Sequence, residues 1–261
     1  MEGVGGIANP SQTNAGEPLY QEGRKLYTEE INAAVRGAFA AGATDVCVMD
    51  HHGAGKGFSF NSLIPDKLDA RCEYVVQEDW TEYTGFLEEG CDACLLIGMH
   101  AMAGASDGVL AHTVSGADYQ NLWFSGTLVG ETGINAALCG HWGAPVLLVS
   151  GDDVSCREAT DLVGDGLTTV AVKRGIGGRS ARMIPPLRCR ELIEAAAKQA
   201  LGDLKAVQPY VPERPCEIKV EYKHSQEPKR LSGRPGIELL DSRTIVSRGD
   251  DWWTAWSQFY F

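Results

Sequence analysis

Short, unbroken apolar runs alternate with segments of helical periodicity along most of this chain, and no other feature constrains its fold as much. Val46-Cys47-Val48-Met49, Cys94-Leu95-Leu96-Ile97, Val146-Leu147-Leu148-Val149 and residues 168–172 read as strands buried on both faces. Residues 28–41, 133–139 and 157–163 carry helical spacing. In 28–41, Ile31, Val35 and Ala38 share one face, Thr28 stands at the N-cap position, Glu29 and Glu30 fall in the first turn and Gly42 follows the end. Buried strands alternating with helices predict an α/β fold, a mostly parallel sheet flanked by helices. A hairpin is expected at 122–129 around Ser125-Gly126, just before Glu131. Beyond it come a helix at 188–201, the prolines Pro209, Pro212 and Pro215, and an alternating segment at 216–222. The expected division is therefore an α/β domain over 1–173 and a smaller C-terminal α+β part over 174–261. The tail holds Trp252, Trp253, Trp256, Phe259, Tyr260 and Phe261, apolar enough to call for a packing surface such as a subunit contact.

Charge and cysteine usage exclude several classes of function. The 261 residues carry a net charge of −12, which leaves no basic stripe to neutralise phosphates or anionic head groups, so neither nucleic acid nor a membrane is an expected partner. Apolar runs stay far below the roughly 20 residues that cross a bilayer, and the chain opens without a basic-then-apolar leader. Eight cysteines lie mostly inside apolar segments, as expected for reduced packing thiols in the cytoplasm.

Four familiar motifs fail on inspection. Gly53-Ala54-Gly55-Lys56-Gly57 lacks both the upstream Gly and the Ser or Thr after Lys of a phosphate loop, and reads as a flexible loop. Gly175-Ile176-Gly177-Gly178 has Ser180 where a dinucleotide fingerprint needs its third Gly. Cys91 and Cys94 form a CxxC without the second pair a structural zinc requires. Ser115 and Ser150 lack the nucleophile-elbow context.

In parallel sheets the ligand crevice lies beyond the carboxyl ends of the strands. The residues there are Asp50-His51-His52, Gly98-Met99-His100 and Gly151-Asp152-Asp153. Of six histidines, His51, His52, His100 and His112 fall at or just past strand ends, with Glu2, Asp50, Glu131, Asp152 and Asp153 as carboxylates near the same rim. Imidazole and carboxylate together suit zinc. Glu131 has two readings of equal weight, a helix-dipole acid or a ligand.

Six blocks carry a resemblance: Met1-Glu2-Gly3-Val4-Gly5-Gly6, Asp50-His51-His52, Gly98-Met99-His100-Ala101, Asp107-Gly108-Val109-Leu110-Ala111-His112, Val129-Gly130-Glu131-Thr132-Gly133-Ile134-Asn135-Ala136 and Gly151-Asp152-Asp153. In this order, through at least the first two thirds of the chain, they resemble the zinc D-aminopeptidase family. The resemblance implies that Glu2, His52, His100 and Glu131 ligate a two-zinc centre and that His112 is the catalytic histidine. It also implies a homo-oligomer that hydrolyses short peptides with N-terminal D-residues. Paired metals about 4 Å apart would activate a water and polarise the scissile carbonyl. His51 falls where the family does not require histidine. Asp50 and Asp152-Asp153 match family positions without a ligating role; orienting the ligands, or reading the substrate ammonium, are the roles open to them.

The family's opening block is Ser-x-Asp-Met-Glu-Gly, and its Asp is shared by both metals. The sequence begins at the Met of that block, so the expectation for the chain as written is weak zinc binding and reduced turnover. Relatives also continue into a helix after the segment matching 250–256. Two other readings stand beside the peptidase: a metal-dependent amidase or deacylase of another small amide, and an inactive family member serving as an oligomer subunit.

Overall fold

A computed structural model describes residues 1–54, 61–75 and 87–260. The phosphate-loop candidate falls largely outside these residues, as does Phe261 of the tail. The first elements are helix α1 (Tyr20–Ala40) and strands β1 (Cys47–Met49), β2 (Glu73–Val75) and β3 (Cys94–Met99). Next come the hairpin β4 (Tyr119–Phe124) and β5 (Thr127–Leu128), helix α2 (Glu131–His141), β6 (Val146–Asp152), α3 (Asp153–Val163), β7 (Thr168–Gly175) and β8 (Ala181–Met183). Helix α4 (Pro186–Ala200), β9 (Cys216–Tyr222), α5 (Gln226–Leu231), β10 (Ile237–Leu239), β11 (Thr244–Gly249) and α6 (Trp252–Tyr260) complete the chain.

The result is a mixed α/β fold. One sheet has the order β3-β6-β7-β8, with β3, β6 and β7 parallel and β8 antiparallel. Strand β6 sits inside it and is buried at every residue, which explains its unbroken apolar run. Helices α1 and α4 pack on each other and on this sheet, and α2 and α3 form a second pair against it. The other large sheet is antiparallel, in the order β10-β11-β9-β4-β5. At the β4–β5 turn Ser125 and Gly126 both take positive φ, 45° and 87°, the twist that a two-residue hairpin needs. The boundary expected near Arg174 falls inside β7, and the antiparallel sheet takes two of its strands from residues 119–128. Among the described residues no helix is long and apolar enough to cross a membrane.

Several local expectations change. Helix α1 begins at Tyr20, not Thr28, because its buried stripe extends upstream through Gly23 and Tyr27. Thr28 is therefore an interior residue; its hydroxyl donates to the Arg24 carbonyl (2.8 Å) and accepts from Ile64 N–H (3.0 Å). Strand β1 pairs with β2 in a small parallel sheet of its own. Residues 1–4 lie along β3, where Gly3 N–H donates to the Gly98 carbonyl (3.1 Å). A Cβ on Gly3 would stand 1.7 Å from the Met99 carbonyl oxygen, so only glycine permits this approach. Part of the aromatic tail is covered by the chain itself: Trp252 and Trp256 are buried, their rings edge-on to Phe124 at 5.8 and 6.4 Å, while Trp253 and Tyr260 are half-buried.

Candidate metal and catalytic site

The strand ends deliver the site. At the end of β3 the pairing register with β6 shifts, and Gly98 takes φ 77°, a kink that re-aims the chain into His100. Beyond β1, Asp50 is fully buried and gathers the loop that bears His52. Its carboxylate accepts His52 N–H (3.0 Å), Leu63 N–H (2.9 Å), Ser62 N–H and the Tyr27 hydroxyl (3.4 Å). Glu131 opens α2, and its carboxylate is turned away from the helix axis toward two imidazoles.

Glu2, His52, His100, Glu131 and His112 all line one cavity of about 130 Å³, together with His51, Tyr27, Asn135 and Tyr260. They form two groups. His52 Nε2 lies 3.0 Å from Glu2 Oε1. In the second group His100 Nε2 stands 3.4 Å from Glu131 Oε2 and His112 Nε2 3.6 Å from Glu131 Oε1, with the imidazole rings stacked at 4.1 Å. His100, His112 and Glu131 offer donor atoms within 4.8 Å of one another, a set able to hold a metal ion.

The imidazoles share one arrangement. His100 Nδ1–H donates to the Ala101 carbonyl (3.1 Å) and His112 Nδ1–H to the Leu110 carbonyl (2.8 Å), while His52 Nδ1 bonds the Ser62 hydroxyl (2.6 Å). A carbonyl only accepts, so Nδ1 of His100 and His112 carries the proton and Nε2 of the neutral ring bears a lone pair. That lone pair faces a carboxylate, and the two repel unless a cation sits between them. A proton serves, and so does a metal of borderline softness such as zinc. The donor set therefore fits zinc.

The charges of the protein's own groups respond to one another. Burial opposes the His100 imidazolium, but Glu131 and Glu2 push it up to about 9. Burial likewise opposes the Glu131 carboxylate, yet His100 and His112 hold it at about 2. Glu2 is also held well below its ordinary value, against burial, by His52 and the N-terminal ammonium. His112 is lowered, first by burial and then by the charge of His100, which favours its neutral form.

His112 sits on a tense loop. Leu110 and Val114, two residues to either side, take φ of 55° and 59°, costly for side-chain-bearing residues and most of all for a β-branched one. The loop is pinned by Leu110 N–H to the Gly178 carbonyl (2.8 Å), His112 N–H to the Ala101 carbonyl (3.2 Å) and Val114 N–H to Glu131 Oε1 (2.8 Å).

Neither Asp50 nor Asp152 lines the cavity, so the idea that one reads a substrate ammonium is corrected. Asp152 is the N-cap of α3, accepting Val154 and Ser155 N–H (3.0 and 2.8 Å) with one oxygen and Val109 N–H (3.1 Å) with the other. Asp153 pairs with Arg157 and accepts Gly175 N–H. His51 Nδ1 lies 2.6 Å from Asn135 Oδ1 at the cavity wall. The sulfurs of Cys91 and Cys94 are 3.9 Å apart, and Cys91 is exposed rather than packed.

Sequence reading missed Lys173. It is 2% exposed within β7, its ammonium donates to the carbonyls of Glu2, Val4 and Ile7, and burial brings it down to about 8. The available signal was a lysine directly following the apolar run Val170-Ala171-Val172. Tyr260 at the cavity wall had no such signal.

A cavity lined by paired imidazoles and carboxylates at the carboxyl ends of strands defines a candidate metal-dependent hydrolase. The D-aminopeptidase profile matches residues 1–261, and the chain belongs to that peptidase family. It is 29% identical over 250 residues to a D-aminopeptidase of Bacillus subtilis (strain 168), covering 94% of this chain and 87% of that protein. Among solved structures it superimposes on the "Zn-dependent D-aminopeptidase DppA from Bacillus subtilis, a self-compartmentalizing protease" with a TM-score of 0.90 and 28% identity. That match covers 99% of this chain and 92% of the other.

Proposed function

We propose that this chain is a zinc-dependent aminopeptidase for short peptides with N-terminal D-amino acids, with Glu2, His52, His100 and Glu131 as ligands and His112 as the catalytic histidine. The observation that carries this reading is the shared orientation of the imidazoles, each tied down at Nδ1 and turned at Nε2 toward a carboxylate in one cavity. Bound zinc supplies a water acidified to a pKa of about 7 and a Lewis acid for the scissile carbonyl.

The chain's own residues do the rest. Glu2 with His52, and Glu131 with His100, fix two donor pairs in the cavity wall. Asp50 holds the His52 main chain and the Ser62 hydroxyl its ring, and the Ala101 carbonyl holds the ring of His100, so both Nε2 atoms are aimed before anything binds. His112, partly exposed at the same cavity and inclined to the neutral form, presents Nε2 to accept a proton and return it to the leaving amine. The description of the Bacillus subtilis protease as self-compartmentalizing supports a homo-oligomer here as well, and free thiols at all eight cysteines support a cytoplasmic setting.

The test measures metal content by mass spectrometry after gentle purification, and turnover on D-alanyl and L-alanyl dipeptides. Bound zinc with cleavage confined to D-peptides supports the reading. A chain that takes up no zinc and cleaves neither peptide overturns it.

A further inference from the structure

We propose that Lys173 is a positioning residue for the Glu2 carboxylate, acting through the backbone of residues 2–7; this rests on Glu2 being a metal ligand as read above. A lysine inside a strand is tolerated only when each of its donors is matched. Here all three N–H bonds go to carbonyls of a single segment: Glu2, Val4 (2.9 Å) and Ile7 (2.6 Å). The segment thus curls around one buried ammonium, its own turns closed by Val4 N–H to the Met1 carbonyl and Ile7 N–H to the Val4 carbonyl. From the side of α1, Glu30 Oε1 accepts Gly5 N–H at 2.9 Å.

One of the three carbonyls belongs to Glu2 itself. Turning the Glu2 backbone breaks that bond, so the ammonium restricts the direction in which the Glu2 side chain leaves the chain, and that direction faces His52 Nε2 at 3.0 Å. The geometry also selects lysine. Three oxygens converging on one point suit a tetrahedral ammonium, whereas a planar guanidinium presents its donors in a fixed fork and cannot reach all three.

The test uses the whole 261-residue chain as wild type, Lys173→Met, Lys173→Arg, Glu2→Gln and the double variant Lys173→Met with Glu2→Gln. Val172→Ala serves as a packing control in the same strand. Zinc affinity is read by competition with a chromophoric chelator, beside thermal unfolding and separate kcat and KM. Lys173→Met is expected to lose zinc affinity about 10- to 100-fold, with kcat falling more than KM rises, and the double variant to bind zinc no more weakly than Glu2→Gln alone. Val172→Ala should unfold at lower temperature with unchanged zinc affinity. Should Lys173→Met fail to fold, Lys173→Arg carries the same measurement with the same expected loss. Wild-type affinity in the Lys173 variant, or losses that simply add to those of Glu2→Gln, overturn the proposal. A wild-type chain that binds no zinc fails at the functional reading instead.

Discussion

Replacing Asp50 by Asn separates two roles that the sequence left open for this residue. Its carboxylate is fully buried and accepts main-chain N–H groups of His52, Ser62 and Leu63 as well as the Tyr27 hydroxyl. An Asn amide has one oxygen. Turned toward His52 and Tyr27, it sets an NH₂ against the two N–H groups of Ser62 and Leu63. Turned the other way, it orphans His52 N–H, while the phenol can reverse and accept. In either pose at least one buried donor is lost, and the surviving bonds fall from charged to neutral strength. At about 1.5–3 kcal/mol for each hydrogen bond to a charged group, the expected cost is about 2–4 kcal/mol. That corresponds to a melting temperature lower by about 5–15 °C for a domain of this size. The assay is thermal unfolding in excess chelator, so that metal loss does not enter, followed by zinc titration. Zinc affinity should fall as well, because the loop that Asp50 gathers carries both His52 and the Ser62 hydroxyl that orients it. An Asn variant as stable as wild type, with only a raised KM, would refute this reasoning and restore Asp50 as a reader of the substrate ammonium.

Other perturbations probe the remaining parts. His112→Ala is expected to keep its zinc while kcat drops by about 10²–10⁴-fold; metal content falling in step with activity would make His112 a ligand instead. Gly3→Ala places a Cβ 1.7 Å from the Met99 carbonyl oxygen and should cost about 3 kcal/mol, measurable by denaturant unfolding, with zinc lost from the displaced Glu2 and His100. Glu30, buried with Oε2 lacking a hydrogen-bond partner among the described residues, has its carboxyl raised to about 7 by burial. A raised carboxyl contributes stability that is fully present below the ordinary value of 4.5 and lost as pH rises through about 7. The melting-temperature difference between Glu30→Gln and wild type should therefore move in favour of the variant across that window and stay level outside it. A difference constant from pH 4 to pH 8 would count against a buried, ionising Glu30.

Local pattern alone determined much of this molecule. Apolar runs marked β3, β6 and β7, but burial on both faces holds only for β6, which is buried throughout; β3 is mostly half-buried and β7 interleaves buried with exposed residues. Turn chemistry marked the β4–β5 hairpin, since Ser125-Gly126 can adopt the positive φ that the turn demands. Strand-end position then singled out His51, His52, His100 and His112, and the resemblance added Glu2 and Glu131, all of which the fold gathers around one cavity. Pairing of the strands was another matter. Joining β4 to β9 across about a hundred residues, or giving β1 to β2 rather than to β3, depends on which edges meet in space, and periodicity carries no such information. The tail illustrates the same limit: its aromatic content announced a need for burial, but only the folded chain supplied Phe124 as the surface that meets it.

The supports of the site lay deepest. Lys173 binds carbonyls, which every residue possesses, so nothing in the identities of Glu2, Val4 or Ile7 points back to it. Asp50 likewise serves main-chain N–H groups of residues 62 and 63, and Glu30 that of Gly5. Side chains that react are legible because their chemistry is rare. Those that aim them by grasping the backbone acquire their meaning only when the tertiary structure brings a distant segment within reach.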